Sequence, residues 1–425
     1  MFKPVQFLFA VAFALTLSGC VSNGTYSGNM PGNTGVVSND PNAMPNLGWQ
    51  TAGDRRDLAQ QSAAASHDPN RPGLVVSAKK VKVALLLPLS GKNADLGQSM
   101  LKAAQMALFD VGSANFEMVP KDTKSTPAGA SLAAQEAANS GASMFLGPIF
   151  AEDVRAVKPV SAANNIPMMA FTTDWTLGGG DTYIMGFLPF AQVARVAQYA
   201  RAHGGDRVAV FAPTTPYCDA VIGTLNRAGV SAVNIQRYSP QQADLTSAVA
   251  SFAASSKVSA APLSYTFNAL MMPVGGESMR SLASVLSASG INSRNTRFLG
   301  TGLWDDTALS GDPSVYGGWF AAPDPASRRD FERRYSENYG AAPLRLSSLA
   351  YDATALAAVL ARTAGNGNAY SRDRLMNQRG FAGIDGIFRF RGDGLSERGL
   401  AVLEIRSGGA RVIDPAPTAF LGSGS

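Results

Sequence analysis

The stretch KKVKVALLLPLSG, from Lys79 to Gly91, begins the part of the chain whose composition predicts a fold. Its centre is an uninterrupted apolar run that ends at Pro88. Strands that are buried on both faces, as in parallel sheets, have this composition. Residues 97–108 then carry apolar side chains at helical spacing. The stretch therefore predicts a strand, a loop and a helix, which together form the first unit of an α/β sheet.

The same unit recurs later in the chain. Arg207–Pro213 (RVAVFAP) again has a basic residue, an apolar strand and a proline, followed by a polar loop and a helical pattern. Strands and helices alternate around both copies, which predicts an open α/β fold with two Rossmann-like lobes. Near the C-terminus, 386–391 and 400–406 are predicted to pair as strands through the turn at 392–394. Ligands of such sheets bind beyond the carboxyl ends of the strands, so these loops should border one crevice.

Composition excludes several classes of function. The 425 residues carry a net charge of only +5 and no long basic run, so nucleic acid is not expected as a partner. Two histidines and two cysteines leave little for a zinc site or a histidine-activated nucleophile. The glycines at 178–180 lack a following Lys-Ser/Thr, and the adjacent acids Glu152 and Asp153 cannot face each other on a helix. We therefore predict no enzymatic activity, no cofactor and no metal.

The N-terminus has the pattern of an export signal. Lys3 precedes an apolar segment at 5–17, and small residues lead to Cys20, so residues 1–19 are predicted to be a signal peptide. The tetrapeptide LSGC at 17–20 resembles a bacterial lipobox, which implies that Cys20 is lipidated and anchors the protein to a membrane. Val21 replaces the aspartate that retains lipoproteins in the inner membrane, which favours the outer membrane, facing the periplasm. The alternative is a plain signal peptide with a chance cysteine.

A tether is predicted between the anchor and the fold. Residues 20–79 are rich in Gly, Asn, Ser, Pro and Ala and show no strand or helix period. A flexible coil of this length has an r.m.s. span of about 40 Å and a maximal extension of about 180 Å. Such a tether lets the fold act away from its membrane, although it could equally be a spacer that clears the lipid surface. Residues 416–425 are predicted to be a disordered tail.

Over residues 81–415 the order of motifs resembles the type I periplasmic-binding-protein fold, specifically the branched-chain amino-acid receptor lineage. The resemblance implies one domain at 80–415, with a first lobe near 81–188 and 324–378 and a second near 189–323 and 379–415. Its main motifs are ALLLPLSG at 84–91, KDTKSTPAGA at 121–130, SGASMFLGP at 140–148, IPMMAF at 166–171, SSLAYDATALAAVL at 347–360 and IDGIFRFRGDG at 384–394.

Two functional branches share this fold. One captures amino acids or similar small polar ligands for ABC transporters. The other resembles the C-terminal domain of outer-membrane lipoproteins that activate class A penicillin-binding proteins, the bifunctional peptidoglycan synthases. Gly97, the Asp122-Thr123 pair and the Gly147-Pro148 turn with Val154 are similar to the second branch, although this chain has a tether where that activator carries a helical-repeat domain. The resemblance thus implies regulation of a class A penicillin-binding protein, with solute capture as the alternative.

The same resemblance identifies the residues that would border a ligand. Receptors bind the amino-acid carboxylate with a serine where this chain has Ala151, and with hydroxyls at positions matched by Thr172 and Thr173. Tyr217 matches an aromatic residue that closes over the ligand, and Asp305 or its neighbour Asp306 would pair with the ammonium group. The full set of crevice candidates is Ser90, Phe150, Ala151, Thr172, Thr173, Tyr217 and Asp305.

Each candidate also has a structural interpretation. The threonines are typical loop-capping hydroxyls, Tyr217 could be a surface aromatic, and an aspartate before a helix is a common N-cap. Phe150 and Phe171 could fill the crevice, in which case the fold would be kept as a scaffold and its surface would carry the function.

Overall fold

The computed structural model describes residues 80–239, 245–260, 263–365 and 367–420. The predicted signal peptide, Cys20 and the tether up to residue 79 lie outside the described residues, as does 421–425. Within the described ranges, no helix is both long enough and apolar enough to cross a bilayer.

The first lobe is built on a five-stranded parallel sheet in which β1 is an interior strand. The strands follow the order β2-β1-β3-β4-β5, with helices on both faces. The elements are β1 (Val81–Leu87), α1 (Ala94–Val111), β2 (Phe116–Asp122), α2 (Pro127–Asn139), β3 (Met144–Leu146), α3 (Ala151–Asn164), β4 (Met168–Ala170) and β5 (Thr182–Ile184).

Strand β1 explains why its sequence is apolar without alternation. Leu85 and Leu87 pack in the core on one side of the sheet, whereas Ala84 and Leu86 pack in the core on the other. Both faces are covered, which confirms the predicted buried strand. The loop after β1 lies so close to α1 that a Cβ at Gly97 would be 2.1 Å from the carbonyl oxygen of Pro88. Glycine is therefore required where the helix meets this loop.

The second lobe repeats the arrangement in a larger sheet. Its strand order is β17-β16-β12-β11-β10-β6-β7, with β16 and β17 added antiparallel to five parallel strands. The elements up to this sheet's last parallel strand are α4 (Pro189–Ala202), β6 (Val208–Pro213), α5 (Pro216–Arg227), β7 (Asn234–Tyr238), α6 (Leu245–Ser256), β8 (Lys257–Ala260), β9 (Leu263–Tyr265), β10 (Ala269–Met271), α7 (Gly276–Ala288), β11 (Arg297–Gly300) and β12 (Trp319–Ala322). Two parallel sheets covered by helices confirm the predicted two-lobed α/β fold.

The C-terminal segments return to the first lobe and then to the second. They comprise α8 (Pro325–Tyr339), α9 (Ser347–Thr363), α10 (Arg372–Leu375), β13 (Phe381–Gly383), β14 (Gly386–Phe390), β15 (Ser396–Arg398), β16 (Ala401–Arg406) and β17 (Gly409–Asp414).

The predicted pairing of 386–391 with 400–406 is wrong. Strand β14 pairs with β13 and β15, whereas β16 pairs with β12 and β17. The reason is that the chain passes from one lobe to the other between Arg398 and Ala401. Phe381 and Phe388 lie in the core of the first lobe, so 381–398 belongs there and not in the second lobe, where we expected it.

The chain therefore crosses between the lobes three times, after β5, after β12 and after β15. Beyond β17 the chain also remains ordered further than expected. Phe420, which we placed in a disordered tail, is half-buried, and the Arg389 guanidinium lies 4.5 Å from its ring centroid. This cation–π contact holds the described end of the tail against β14.

Candidate functional site

The candidate site is the interlobe crevice, which we define as the space bordered by the loops after β1, β3 and β4 in the first lobe and after β6 and β11 in the second. Strands β1, β3 and β4 are neighbours, so the loops that hold Ser90, Ala151 and Thr172 emerge at one sheet edge. The loop after β11 contacts first-lobe arginines through Asp305, so the two walls face each other.

Ser90 is bound to the carboxylate at the end of β2. Its Oγ donates to Asp122 Oδ2 at 2.6 Å, while the backbone amides of Leu89, Ser90 and Lys124 donate to Oδ1. Although partial burial opposes ionisation, these hydrogen bonds hold the pKa of Asp122 below its usual value. The hydroxyl proton of Ser90 is thus already used within the loop.

Helix α3 begins at the crevice without a polar cap. Phe150 occupies the N-cap position, makes no side-chain hydrogen bond there, and packs against the first-lobe core. Ala151 follows, so no hydroxyl stands where a receptor would have its serine. Glu152 and Asp153 supply negative charge to the positive end of the helix. Burial, and secondarily the charge of Glu152, raises the pKa of Asp153.

The threonines after β4 differ in role. Thr172 is buried and its Oγ1 accepts the backbone N–H of Asp174 at 3.1 Å, which matches the loop-capping interpretation. Thr173 is exposed, and its hydroxyl makes no hydrogen bond to any described residue. Asp174 in turn pairs with Arg155 at 2.5 Å. Phe171 is buried in the first-lobe core, so it does not fill the crevice.

In the second lobe, Tyr217 links the first turn of α5 to the loop after β11. It lies near the start of α5, and its hydroxyl donates to Thr301 Oγ1 at 2.9 Å. Burial raises the pKa of Tyr217 to about 12, so the phenol stays protonated and keeps this bond. The backbone amide of Gly302 beside it donates to Gln192 Oε1 at 2.8 Å. The second-lobe wall is therefore braced by its own hydrogen bonds.

Asp305 is paired with arginine side chains of the first lobe. Its Oδ2 lies 3.5 Å from Arg328 Nη1 and 3.7 Å from Arg345 Nε. The neighbouring Asp306 instead caps a short 3-10 helix, because its Oδ1 accepts the Ala308 amide at 2.9 Å. The N-cap interpretation thus fits Asp306, whereas the charge of Asp305 is directed across the crevice.

A partly buried ionic cluster lies where the chain crosses between the lobes, and Asp305 is its only member among the predicted site residues. Arg345 Nη2 lies 3.1 Å from Asp385 Oδ1, and Ser348 Oγ donates to Asp385 Oδ2 at 2.5 Å. Arg398 Nη2 donates to the carbonyl of Met185 at 3.0 Å. We call this the crossover cluster; its members are Asp305, Arg328, Arg345, Asp352, Asp385 and Arg398.

The two buried aspartates of the cluster have opposite protonation tendencies. Burial, reinforced by the charge of Asp385, raises the pKa of Asp352 to about 8. Burial also acts on Asp385, but the nearby Arg345 and Arg398 guanidinium groups outweigh it and lower its pKa. At neutral pH Asp352 is therefore mostly protonated and Asp385 is ionised.

Phe187, on the first crossing segment, packs between two arginines of the cluster. The Arg345 and Arg398 guanidinium carbons lie 4.2 Å and 5.0 Å from its ring centroid. The cluster thus contacts the crossing segments at Phe187 and Arg398 and reaches the second lobe through Asp305. One sequence signal could have identified it: Asp352 is the only charged residue in the apolar stretch SSLAYDATALAAVL at 347–360.

In the part of the chain that the structure describes, no three His, Cys, Asp or Glu side chains are grouped closely enough to hold a metal ion. The polar candidates other than Thr173 either bond within their own lobe or, for Asp305, bond across the crevice.

Solved structures similar to this chain include substrate-binding proteins of ABC transporters. One is a branched-chain amino acid ABC transporter protein from Rhodospirillum rubrum, with a TM-score of 0.67 and 19% identity over 79% of this chain and 100% of that one. A second, from Streptococcus pneumoniae in complex with isoleucine, has a TM-score of 0.56 and 19% identity over 79% and 100%. A third, a leucine-binding protein from Thermotoga maritima, has a TM-score of 0.53 and 22% identity over 78% and 97%.

No curated protein matches the chain in sequence. A family model described as periplasmic binding protein matches residues 80–410, nearly the whole of both lobes. The chain belongs to the periplasmic binding protein family, and its similarity to the solved structures shows that it has the type I fold of such proteins.

Proposed function

We propose that this protein is a non-enzymatic regulator of the cell envelope, which uses its binding-protein domain as a scaffold to contact and activate a class A penicillin-binding protein. The observation that carries the proposal is the pairing of Asp305. The residue that would bind an amino-acid ammonium group is already neutralised by Arg328 and Arg345. A ligand ammonium would have to compete with two fixed cations for it.

The opposite wall also disfavours an amino acid. A ligand carboxylate near α3 would find no hydroxyl at Ala151 and would lie close to the acids Asp153 and Asp174. Unpaired burial of a charged group costs several kcal/mol, so a zwitterion needs partners at both ends. The domain keeps its two lobes, but most polar side chains of its crevice bond to other residues of the chain. This is consistent with a function in which the surface of the domain binds a protein.

The proposed location follows from the N-terminal sequence. Lipidation of Cys20 would anchor the protein to the outer membrane, and the tether of 20–79 would let the domain reach across the periplasm to a synthase. This part of the proposal has a direct test. A Cys20→Ala variant should leave the membrane fraction, and its continued presence there would contradict lipid anchoring.

A second candidate, capture of a small polar solute for an ABC transporter, has two supporting observations. Similar structures include one that holds isoleucine. In addition, the Thr173 hydroxyl makes no hydrogen bond to a described residue, and the start of α3 lacks a side-chain cap, so donors for a ligand oxygen remain at this wall.

The activity test uses the chain from residue 20 with Cys20→Ala, so that it is water-soluble. Added to a purified class A penicillin-binding protein with lipid-linked substrate, it should increase the rate of glycan polymerisation. A monofunctional glycosyltransferase serves as the control and should not respond. If the class A enzyme neither binds the chain nor changes rate, the regulatory proposal is wrong.

The solute test measures thermal unfolding with each of the twenty amino acids. A ligand present at a thousandfold excess over its Kd, such as about 1 mM for micromolar affinity, adds about 4 kcal/mol of stability. Such a gain shifts the unfolding midpoint by several degrees. We expect no shift. A shift with one amino-acid class that Asp305→Asn removes and Asp306→Asn retains would instead establish the solute receptor.

A further inference from the structure

A second cavity lies between the lobes, apart from the interlobe crevice. It has a volume of about 590 Å³ and is bordered by α4 and α5 of the second lobe and by Trp175 and the β14–β15 hairpin of the first. None of the crevice candidates lines it. This volume is in the range of sites for small organic ligands, which also occur preferentially between domains. We call it the lateral cavity.

One end of the lateral cavity is aromatic. Trp175 and Phe190 meet edge to face with their ring centroids 5.4 Å apart, and both are only half-buried. Ala191, Ala194 and Gly223 line the adjacent helix surfaces, and their small side chains leave space beside the rings. A flat apolar group could lie on Ala194 and Gly223 and still contact the two rings.

One positively charged side chain of the cavity, that of Arg227, forms no ion pair with a described residue. Among the described residues, no carboxylate lies within ion-pair distance of Arg227, whose Nη2 donates to Thr224 Oγ1 at 2.9 Å and whose guanidinium lies 5.9 Å from the Phe190 ring centroid. The acids of the cavity are already paired with arginines. These pairs are Asp219 with Arg237, Asp393 with Arg391 and Glu397 with Arg389.

We propose that the lateral cavity binds an aromatic carboxylate. Its ring system would pack against Trp175 and Phe190, and its carboxylate would accept hydrogen bonds from the Arg227 guanidinium. Arginine binds carboxylates in a planar, often bidentate geometry, and its remaining donors are free for this. Because Trp175 belongs to the first lobe and Arg227 to the second, the ligand would also bridge the lobes. This inference does not depend on the proposed regulatory function.

The test is isothermal titration of the chain from residue 20, carrying Cys20→Ala, with 2-naphthoate as the probe. We expect saturable binding of 2-naphthoate to a single site. The uncharged analogue 2-naphthamide should bind at least about tenfold more weakly. A tenfold change in affinity corresponds to about 1.4 kcal/mol, and a charge-assisted hydrogen bond contributes at least this much. The Arg227→Gln variant should weaken 2-naphthoate to the same degree. Arg201→Gln, an exposed arginine outside the cavity, is the matched control and should bind as the parent does.

A second variant tests the position of the site. Ala194→Phe fills the space beside the aromatic pair and should abolish binding, while an unchanged unfolding midpoint shows that the fold is retained. Equal affinity of the parent and Arg227→Gln would overturn the proposal, as would the absence of saturable binding at millimolar probe. Undiminished binding by Ala194→Phe would place the probe elsewhere and would overturn it equally.

Discussion

The Arg398→Met variant is expected to lose about 3–5 kcal/mol of its free energy of unfolding. Arg398 is buried close to the ionised Asp385, whose pKa it helps to lower, and it also packs on Phe187. Methionine nearly preserves the volume but removes the charge, which leaves the ionised Asp385 short of a counterion in a buried setting. Chemical denaturation at neutral pH measures the loss.

Two variants show whether this loss comes from the buried charge. Arg333→Met removes an arginine that is exposed and paired with Asp330 and Glu337, so it should leave the free energy of unfolding nearly unchanged. Adding Asp385→Asn to Arg398→Met should recover part of the stability, because the buried carboxylate that has lost one of its cations is gone. If Arg398→Met costs no more than Arg333→Met, the crossover cluster does not stabilise the fold as described.

The Asp352→Asn variant is expected to gain stability relative to the parent as pH rises. An aspartate in the unfolded chain has a pKa of about 3.9. In the fold, burial raises the pKa of Asp352 to about 8. Between these values the folded protein holds one proton more than the unfolded chain, so the parent's free energy of unfolding falls as pH increases.

Asparagine removes this penalty, so the stability difference between variant and parent should widen by up to about 1.4 kcal/mol per pH unit across that window. Below pH of about 4 the difference should be constant, because both states of the parent are then protonated. Asp385→Asn is the control and should behave oppositely: it loses an ionised partner of Arg345 and should be destabilised at neutral pH. Parallel pH profiles of Asp352→Asn and the parent would show that Asp352 is not protonated in the fold.

The sequence predicts the fold class well because the sheets have two covered faces. A strand such as β1 must be apolar on both sides, so its composition reports its environment directly. The predicted pairing of the C-terminal strands is wrong because the composition of a strand does not show which sheet it joins. Residues 386–390 and 401–406 both have the composition of strands. The sheet that each of them joins depends on the crossing after Arg398, and no local sequence pattern predicts where the chain crosses between lobes.

The sequence predicts which loops border the crevice, but it does not predict how the charged side chains there are paired. Ser90 and Thr172 lie in loops that follow strands, and Tyr217 lies near the start of α5. Ser90 and Tyr217 bond to Asp122 and Thr301, which are far away in sequence. Asp305 illustrates the limit, because its partners Arg328 and Arg345 come from segments that the chain reaches only after leaving the second lobe. Residue type alone could not show whether an aspartate binds a ligand or forms an ion pair across the lobes.

The three crossings impose an order on how the chain can fold as it is synthesised. The first lobe contains β1 at residue 81, yet its core also includes Phe381 and Phe388. A nascent chain that emerges from its N-terminus can form the sheet of β1–β5 early, but that lobe must remain incomplete, with apolar surface uncovered, until almost the whole polypeptide has been made. Domains generally fold as units, and long-range contacts form slowly. The interval before the last segments arrive is therefore when this protein is most exposed to aggregation and to proteolysis.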